Sequence, residues 1–478
     1  LLSLSTYIAI NGRLFFFFFL LFFTLNTNAQ VADNITNNIL VVKDVLIFGN
    51  KKTKNSIILR EIVIKSGDTL YRESLDSLLL IERNKVFNLG IFVSAEVKAV
   101  ATGINTVDIL ISVQEQWYLF PIPILDIADR NFNEWINQRG ADPRRLEYGI
   151  RVNWRNFRGR RENVKTTFQF GFTKLLGLKY TIPYINKKQT IGLGFATSYA
   201  VNKEIPYATI SNKLAFLRTD ENIRERFYMG AALSYRKNYY QFHSLEYTFN
   251  QNSIADTVAK LNPAYFLEGK TSQTYSTLSY NYTYDFRDYQ VYPTKGYIFN
   301  TSATVFGIFP HDDLRNLQAT LSYGTYYTLA ARFFYDNLTK IKVATKGLLA
   351  YPNYRGFGFT GNMLRGYDLY VIDAQNTFMN QSTLRYKLFD RVLNINSVIK
   401  MEEFNKIPLQ IYLKTFFDVG YAYNPFTIKT NERLTNTALW TTGVGFDFVS
   451  YYNSTFRIEY ALNSILETGI FFYWNAEL

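Results

Sequence analysis

The 478-residue chain carries 37 Tyr and 41 Phe, yet its mean hydropathy is only −0.11, and beyond Ala29 it has no apolar run of the ~18 residues that a membrane-spanning helix needs; this excludes a helical membrane protein. The net charge of +13 comes from Lys and Arg spread along many segments without a dense basic tract. That distribution argues against nucleic-acid binding and suits a polar cavity or rim facing anionic headgroups or substrate segments. With no cysteine, and with His243 and His311 the only imidazoles, neither a thiolate nor a multi-histidine metal site is available, no cofactor is expected, and the chemistry of an enzyme is not in view.

The N-terminus predicts a signal peptide over 1–29. Arg13 precedes a short Phe-dominated apolar run, Leu14 to Leu25, and Thr27-Asn28-Ala29 supplies a small-residue cleavage site. A linker over 30–39 follows. Residues 40–116 then predict a compact α+β domain of order β-α-α-β-β. Val41 to Phe48 forms a β-branched strand, and Ser56 is placed to cap a helix with an Ile57, Ile58 and Ile62 stripe. After a Gly67-Asp68 turn, a second helix from Tyr71 to Asn88 carries Leu75, Leu78, Leu79 and Val86. Two strands, Phe92 to Val100 and Thr106 to Val113, close the domain. Val107, Ile109, Ile111 and Val113 share one face, so the sheet buries one side.

From Trp117 to Leu478 the texture is that of β-hairpins alone. Trp117-Tyr118 and Phe120-Pro121-Ile122-Pro123 mark entry into a membrane interface, where aromatics concentrate. Val152 and Trp154 oppose Arg151, Asn153 and Arg155; Phe168, Phe170 and Phe172 oppose Lys165, Thr167 and Gln169. Ile191, Leu193, Phe195 and Tyr199 oppose Gly192, Gly194, Ala196 and Ser198, and Leu278, Tyr280, Tyr282 and Tyr284 oppose Ser279, Asn281, Thr283 and Asp285. Phe456, Ile458 and Tyr460 oppose Arg457 and Glu459. Period-two alternation with so aromatic an outer face predicts a transmembrane β-barrel over 117–478, its edges removed by closure. Gly469 to Trp474 is the strand placed to close against the first.

Three clusters fall along this barrel. The first is Asp285, Arg287, Asp288, Pro293 and Gly296, following a strand. The second is Gly361-Asn362-Met363-Leu364-Arg365-Gly366-Tyr367, and the third is Phe416-Phe417-Asp418-Val419-Gly420. Leu409, Ile411, Leu413 and Phe417 alternate outward, turning Gln410, Lys414 and Asp418 inward. Asp447, between Phe446 and Phe448, is inward by the same rule. An arginine brought into the interior by a loop needs a carboxylate, and a bidentate Arg–Asp pair is geometrically specific.

In order and spacing these clusters resemble the BamA/TamA superfamily of outer-membrane assembly and translocation barrels. Residues 40–116, with GNKKT, GDTL and LGIF at its turns, resemble a POTRA domain. The resemblance implies a periplasmic POTRA domain and an outer-membrane barrel, sixteen antiparallel strands in all. It also implies a sixth extracellular loop folded into the lumen with Arg365, Gly366 and Tyr367 at its tip. Arg365 is then expected to meet Asp418, with Asp447 as second candidate; Arg355-Gly356-Phe357 also fits the tip pattern but lacks the following family-like stretch. The implied partners are outer-membrane lipids, unfolded outer-membrane or exported polypeptides, and accessory lipoproteins or periplasmic chaperones. The function implied is insertion or translocation of clients through the POTRA domain and the barrel seam. One POTRA domain, where BamA-type proteins carry several, also fits a dedicated factor with few clients. A passive channel or structural barrel is the alternative.

Overall fold

The computed structural model describes residues 38–130, 132–359, 361–394, 406–426, 433–450 and 454–475. The signal-peptide segment, most of the linker and residues 476–478 lie outside them.

The N-terminal domain contains β1 (Ile39–Phe48), α1 (Asn55–Leu59), β2 (Thr69–Tyr71), α2 (Leu75–Phe87), β3 (Phe92–Ala101) and β4 (Thr106–Glu115). The sheet order is β2-β1-β4-β3, with β1 parallel to β4 and the other pairs antiparallel. Alternation along β4 buries Val107, Ile109, Ile111 and Val113 against Ile57, Ile58, Leu79 and Val86. Burying such side chains contributes about 1.5–3 kcal/mol each.

Three local expectations change here. Ile39 already belongs to β1 rather than to the linker. Lys54 is the N-cap of α1, so Ser56 sits inside the helix and does not cap it. Thr69–Tyr71 forms a short strand against Ile39–Val41, and the second helix starts at Leu75. Three residues are too few for a period to show, and backbone pairing with β1 takes them from the helix.

Sixteen strands form one antiparallel sheet. They are β5 (Leu119–Ile127), β6 (Leu146–Phe157), β7 (Glu162–Gly171), β8 (Thr173–Ile182), β9 (Ile191–Asn202), β12 (Arg224–Arg236), β13 (Gln241–Ile254) and β14 (Ser272–Asp285). Then come β15 (Gly296–Phe306), β16 (Asn316–Ala330), β17 (Phe333–Ala344), β18 (Asn376–Asn394), β19 (Lys406–Tyr423), β20 (Ala438–Val449), β21 (Thr455–Asn463) and β22 (Thr468–Asn475). The hairpin β10 (Glu204–Ile210) and β11 (Lys213–Arg218) stands outside this sheet. Outward residues such as Phe170, Phe195, Tyr280, Phe417 and Phe446 are exposed, and their inward neighbours Asp418, Thr441 and Asp447 are buried. This apolar outside with a polar inside is the pattern of a transmembrane barrel. None of the described helices is long and apolar enough to cross a membrane.

The barrel region is not hairpins alone. Helix α3 (Phe132–Arg139) follows β5, and α4 (Asp256–Leu261) follows β13. Glu134 pairs with Arg130 and Arg139, and Gly140 at φ +60° ends α3. Phe172 lies past the end of β7, where its ring sits 4.8 Å from the Arg145 guanidinium; Gly171, at φ +97°, breaks the alternation before it. Tyr118 turns away from any interface into the N-terminal core, its hydroxyl bonding the Ile91 carbonyl at 3.2 Å.

Edge closure also differs from expectation. Among the described residues β5 pairs only with β6 and β22 only with β21. A physical reason lies in β5 itself. Pro121 and Pro123 stand two apart, so both missing N–H groups fall on the same side of the strand, and proline is confined to sheet edges for this reason.

Candidate functional site: the inserted loop and the docked domain

The segment between β17 and β18 folds back between the barrel walls and builds a core of its own. Phe357, Leu364, Tyr367, Ile372 and Ala374 are buried together with Met379, Ala422 and Leu439 of the wall. Phe357 and Ile372 exchange both backbone hydrogen bonds at 3.0 Å, pinching the loop into a narrow hairpin. At its tip, Gly366 has φ +76°, a conformation that favours glycine, and an added Cβ would lie 2.7 Å from Thr441 Oγ1.

Arg365 is held by this tip against β19. Its Nε donates to Asp418 Oδ2 at 2.8 Å and its Nη2 to Asp418 Oδ1, a two-pronged pair. Nη1 donates to Thr383 Oγ1 at 3.1 Å, and the guanidinium lies 4.1 Å above the Phe416 ring. Gln381 Nε2 gives Asp418 a further hydrogen bond at 3.0 Å. Tyr367 donates to the Trp440 carbonyl at 3.0 Å, and Asn463 Nδ2 donates to the Gly366 carbonyl at 2.9 Å.

Asp447 does not meet Arg365. It pairs with Lys414 at 2.6 Å and accepts from Tyr292 at 2.8 Å. Asp418 faces Thr441 on β20, and at about 3.4 Å per residue Asp447 lies roughly 20 Å further along that strand, beyond the reach of the tip. Arg355, the alternative tip arginine, stands over Phe359 instead.

The loop also spans the two ends of the sheet. Arg130, just after β5, donates to the carbonyls of Gly358 and Tyr370 at 3.1 and 2.7 Å. From β22, Tyr473 donates to Asp368 Oδ1 at 2.7 Å. The loop therefore touches both terminal strands of the sheet, which form no ladder with each other among the described residues.

The Asp285–Gly296 cluster is a turn device at the opposite end. Arg287 grips Asp285 through Nε and Nη2, each at 2.7 Å. Asp288 accepts from the backbone N–H groups of Tyr289, Thr294 and Lys295, satisfying donors that the tight turn leaves over. Gly296, at φ +107°, lets the backbone pass where a Cβ would strike the Phe286 carbonyl, and the Pro293 carbonyl accepts from Arg385 at 2.7 Å.

This turn is one of four against which the N-terminal domain docks. Asn88 Nδ2 donates to the Asp288 carbonyl at 3.1 Å, and Arg83 Nη1 to Tyr289 Oη at 3.2 Å. Glu61 receives Arg236 through two bonds, at 2.5 and 2.6 Å, with both side chains buried. Arg60 stacks 3.7 Å from the Tyr184 ring. Burial first, and then Arg236, pushes the Arg60 guanidinium down to about 9. Lys54 N–H donates to the Gly159 carbonyl at 3.0 Å, and Arg161 Nε to the Leu89 carbonyl at 3.0 Å.

Residues 156–464 match the Omp85 superfamily domain. The chain belongs to that superfamily. Residues 40–116 match the POTRA model, described as surface antigen variable number repeat. In fold the chain is similar to BamA from Haemophilus ducreyi lacking POTRA domains 1–3, at 14% identity and TM-score 0.54, covering 91% of this chain and 84% of that one. CdiB from Escherichia coli is similar at 10% identity and TM-score 0.53, covering 91% and 75%. A search of curated proteins finds no significant match. As an Omp85 protein with a POTRA domain, the chain is an outer-membrane barrel of the insertion and translocation family.

Sequence reasoning about this Omp85 chain missed the docking residues Glu61, Arg236, Arg83 and Asn88. Polar and charged residues just past helix ends (Glu61, Asn88), on a helix face (Arg83) and at a strand end (Arg236) look like solvated surface until the turns of the barrel are placed under them. Among the described residues no group of three or more His, Cys, Asp or Glu could hold a metal ion.

Proposed function

We propose that this protein inserts or translocates client polypeptides at the outer membrane, with its POTRA domain in the periplasm. The observation that carries the proposal is the seam: β5 and β22 each present one side without a strand partner among the described residues. An unpaired edge in a bilayer offers hydrogen bonds that an incoming strand can complete, so client folding itself supplies the driving force. On the periplasmic side, β3 pairs only with β4 among the described residues. That free edge suits capture of an extended segment by strand addition, main-chain bonds giving affinity with little sequence demand. Arg130 and Tyr473 reach the inserted loop from the two sides of the seam, so loop position and seam width are linked.

The test is folding of a urea-unfolded eight-stranded barrel client into proteoliposomes containing the full chain. The wild type is expected to raise the folding rate above that of empty liposomes. The Pro121→Val/Pro123→Val double variant, which restores two N–H donors, is expected to close the seam and return the rate toward the empty-liposome value. A passive channel would leave the client's rate unchanged in both.

A further inference from the structure

At the end of the lumen remote from the POTRA domain, a cavity of about 430 Å³ opens between β12, the strands up to β17 and the inserted loop. Four cations line it: Arg224 at the start of β12, Lys340 and Lys342 on β17, and Arg355 on the loop. Their placement follows from strand period. Ile341 and Val343 are exposed on the outer face, which turns Lys340 and Lys342 inward.

Among the described residues no carboxylate lines the cavity. The lysines are met by neutral carbonyls: Lys340 Nζ donates to that of Gly361, and Lys342 Nζ to those of Arg355 and Ala374. Arg355 Nε donates to the Pro352 carbonyl at 3.1 Å. Arg224 Nε is buried without a hydrogen-bond partner among the described residues. Elsewhere in the same lumen Arg365, Lys414 and Arg385 each have a carboxylate. Cations gathered away from bulk water repel one another and gain strongly from an anion that occupies the space between them.

We propose that this cavity binds a phosphate monoester carried on a sugar or a lipid headgroup. Such a group brings close to two negative charges and three acceptor oxygens, which matches two planar guanidinium forks and two ammonium groups better than a single carboxylate does. The volume falls in the ~300–1,000 Å³ range of small-ligand sites and leaves room beyond the phosphate. Tyr275 and Phe266 supply flat walls there for the attached group.

The experiment is calorimetric titration of the detergent-solubilised full chain with glucose 6-phosphate, with glucose as the uncharged control. Glucose 6-phosphate is expected to bind and glucose not. Removing one charge-assisted hydrogen bond should weaken binding by about tenfold, an effect read in Arg355→Gln, which alters no strand; Lys340→Gln/Lys342→Gln removes two and should weaken it by about a hundredfold. In parallel, the protein is recovered from phosphatidylcholine vesicles containing phosphatidic acid, and its bound lipid is measured by mass spectrometry. Retention of phosphatidic acid by wild type but not by the double variant, with glucose 6-phosphate inert, assigns the headgroup as the source; the reverse assigns a soluble phospho-sugar. The proposal is overturned if neither probe binds, or if both bind equally to wild type and to variants that keep the heat-modifiable gel mobility of a folded barrel. It is equally overturned if chloride preference in planar bilayers falls in the variants without any saturable binding.

Discussion

Replacing Arg365 by Ala is expected to free the inserted loop while leaving the barrel standing. The substitution removes a two-pronged pair to Asp418, a bond to Thr383 and the stacking on Phe416. It leaves Asp418, which has no exposed surface, with Gln381 as its remaining side-chain donor. Breaking a buried pair in this way costs roughly 3–5 kcal/mol. None of the strand ladders passes through Arg365, so the urea midpoint of the barrel should hardly move. Loop amides around Phe357 and Ile372 should exchange with solvent about a hundredfold faster, the factor that roughly 3 kcal/mol implies. Arg365→Lys keeps the charge but loses the fork and should resemble the alanine variant. Asp447→Asn should leave loop exchange alone, because Asp447 serves Lys414 and Tyr292. Unchanged loop exchange in Arg365→Ala would show that the pair does not hold the loop.

Glu61→Ala is expected to undock the POTRA domain. Glu61 is the carboxylate facing Arg236, with Arg60 also beside that cation, so its loss leaves two arginines in mutual repulsion at a buried contact. The cost is again about 3–5 kcal/mol for orphaning a buried charge, set against the remaining bonds from Asn88, Arg83 and Lys54. Spin-label distances between the POTRA domain and the turn after β12 should broaden in the variant. Glu61→Met combined with Arg236→Met, which removes both charges, should narrow them again. A sharp wild-type distance in Glu61→Ala would mean the ion pair is incidental to docking.

Much of this architecture was legible because its signal is periodic. Alternation assigned the outer faces of β7, β9, β14 and β21, and it turned Asp418 and Asp447 inward. It gave no depth along the strand, which is why Asp447 on the neighbouring strand stayed a second candidate beside Asp418 for Arg365. Register places Asp418 opposite Thr441, six residues from Asp447. Where structure is aperiodic, residue pattern failed. The Thr69–Tyr71 strand exists by pairing with β1, and α3 interrupts what otherwise reads as hairpins. The apolar residues Phe357, Leu364 and Ile372 were visible in the loop, but only the fold shows that they pack on one another within the barrel. The prolines of β5 did carry a signal: two missing donors on one side announce an edge, and among the described residues β5 and β22 form no ladder with each other.

The claim that this Omp85 protein handles client polypeptides is tested most directly by depleting it and quantifying the outer-membrane proteome. The expected result is a selective fall in outer-membrane or exported proteins, either many unrelated barrels or a small dedicated set. An outer-membrane proteome unchanged by depletion would contradict the claim and leave a passive barrel.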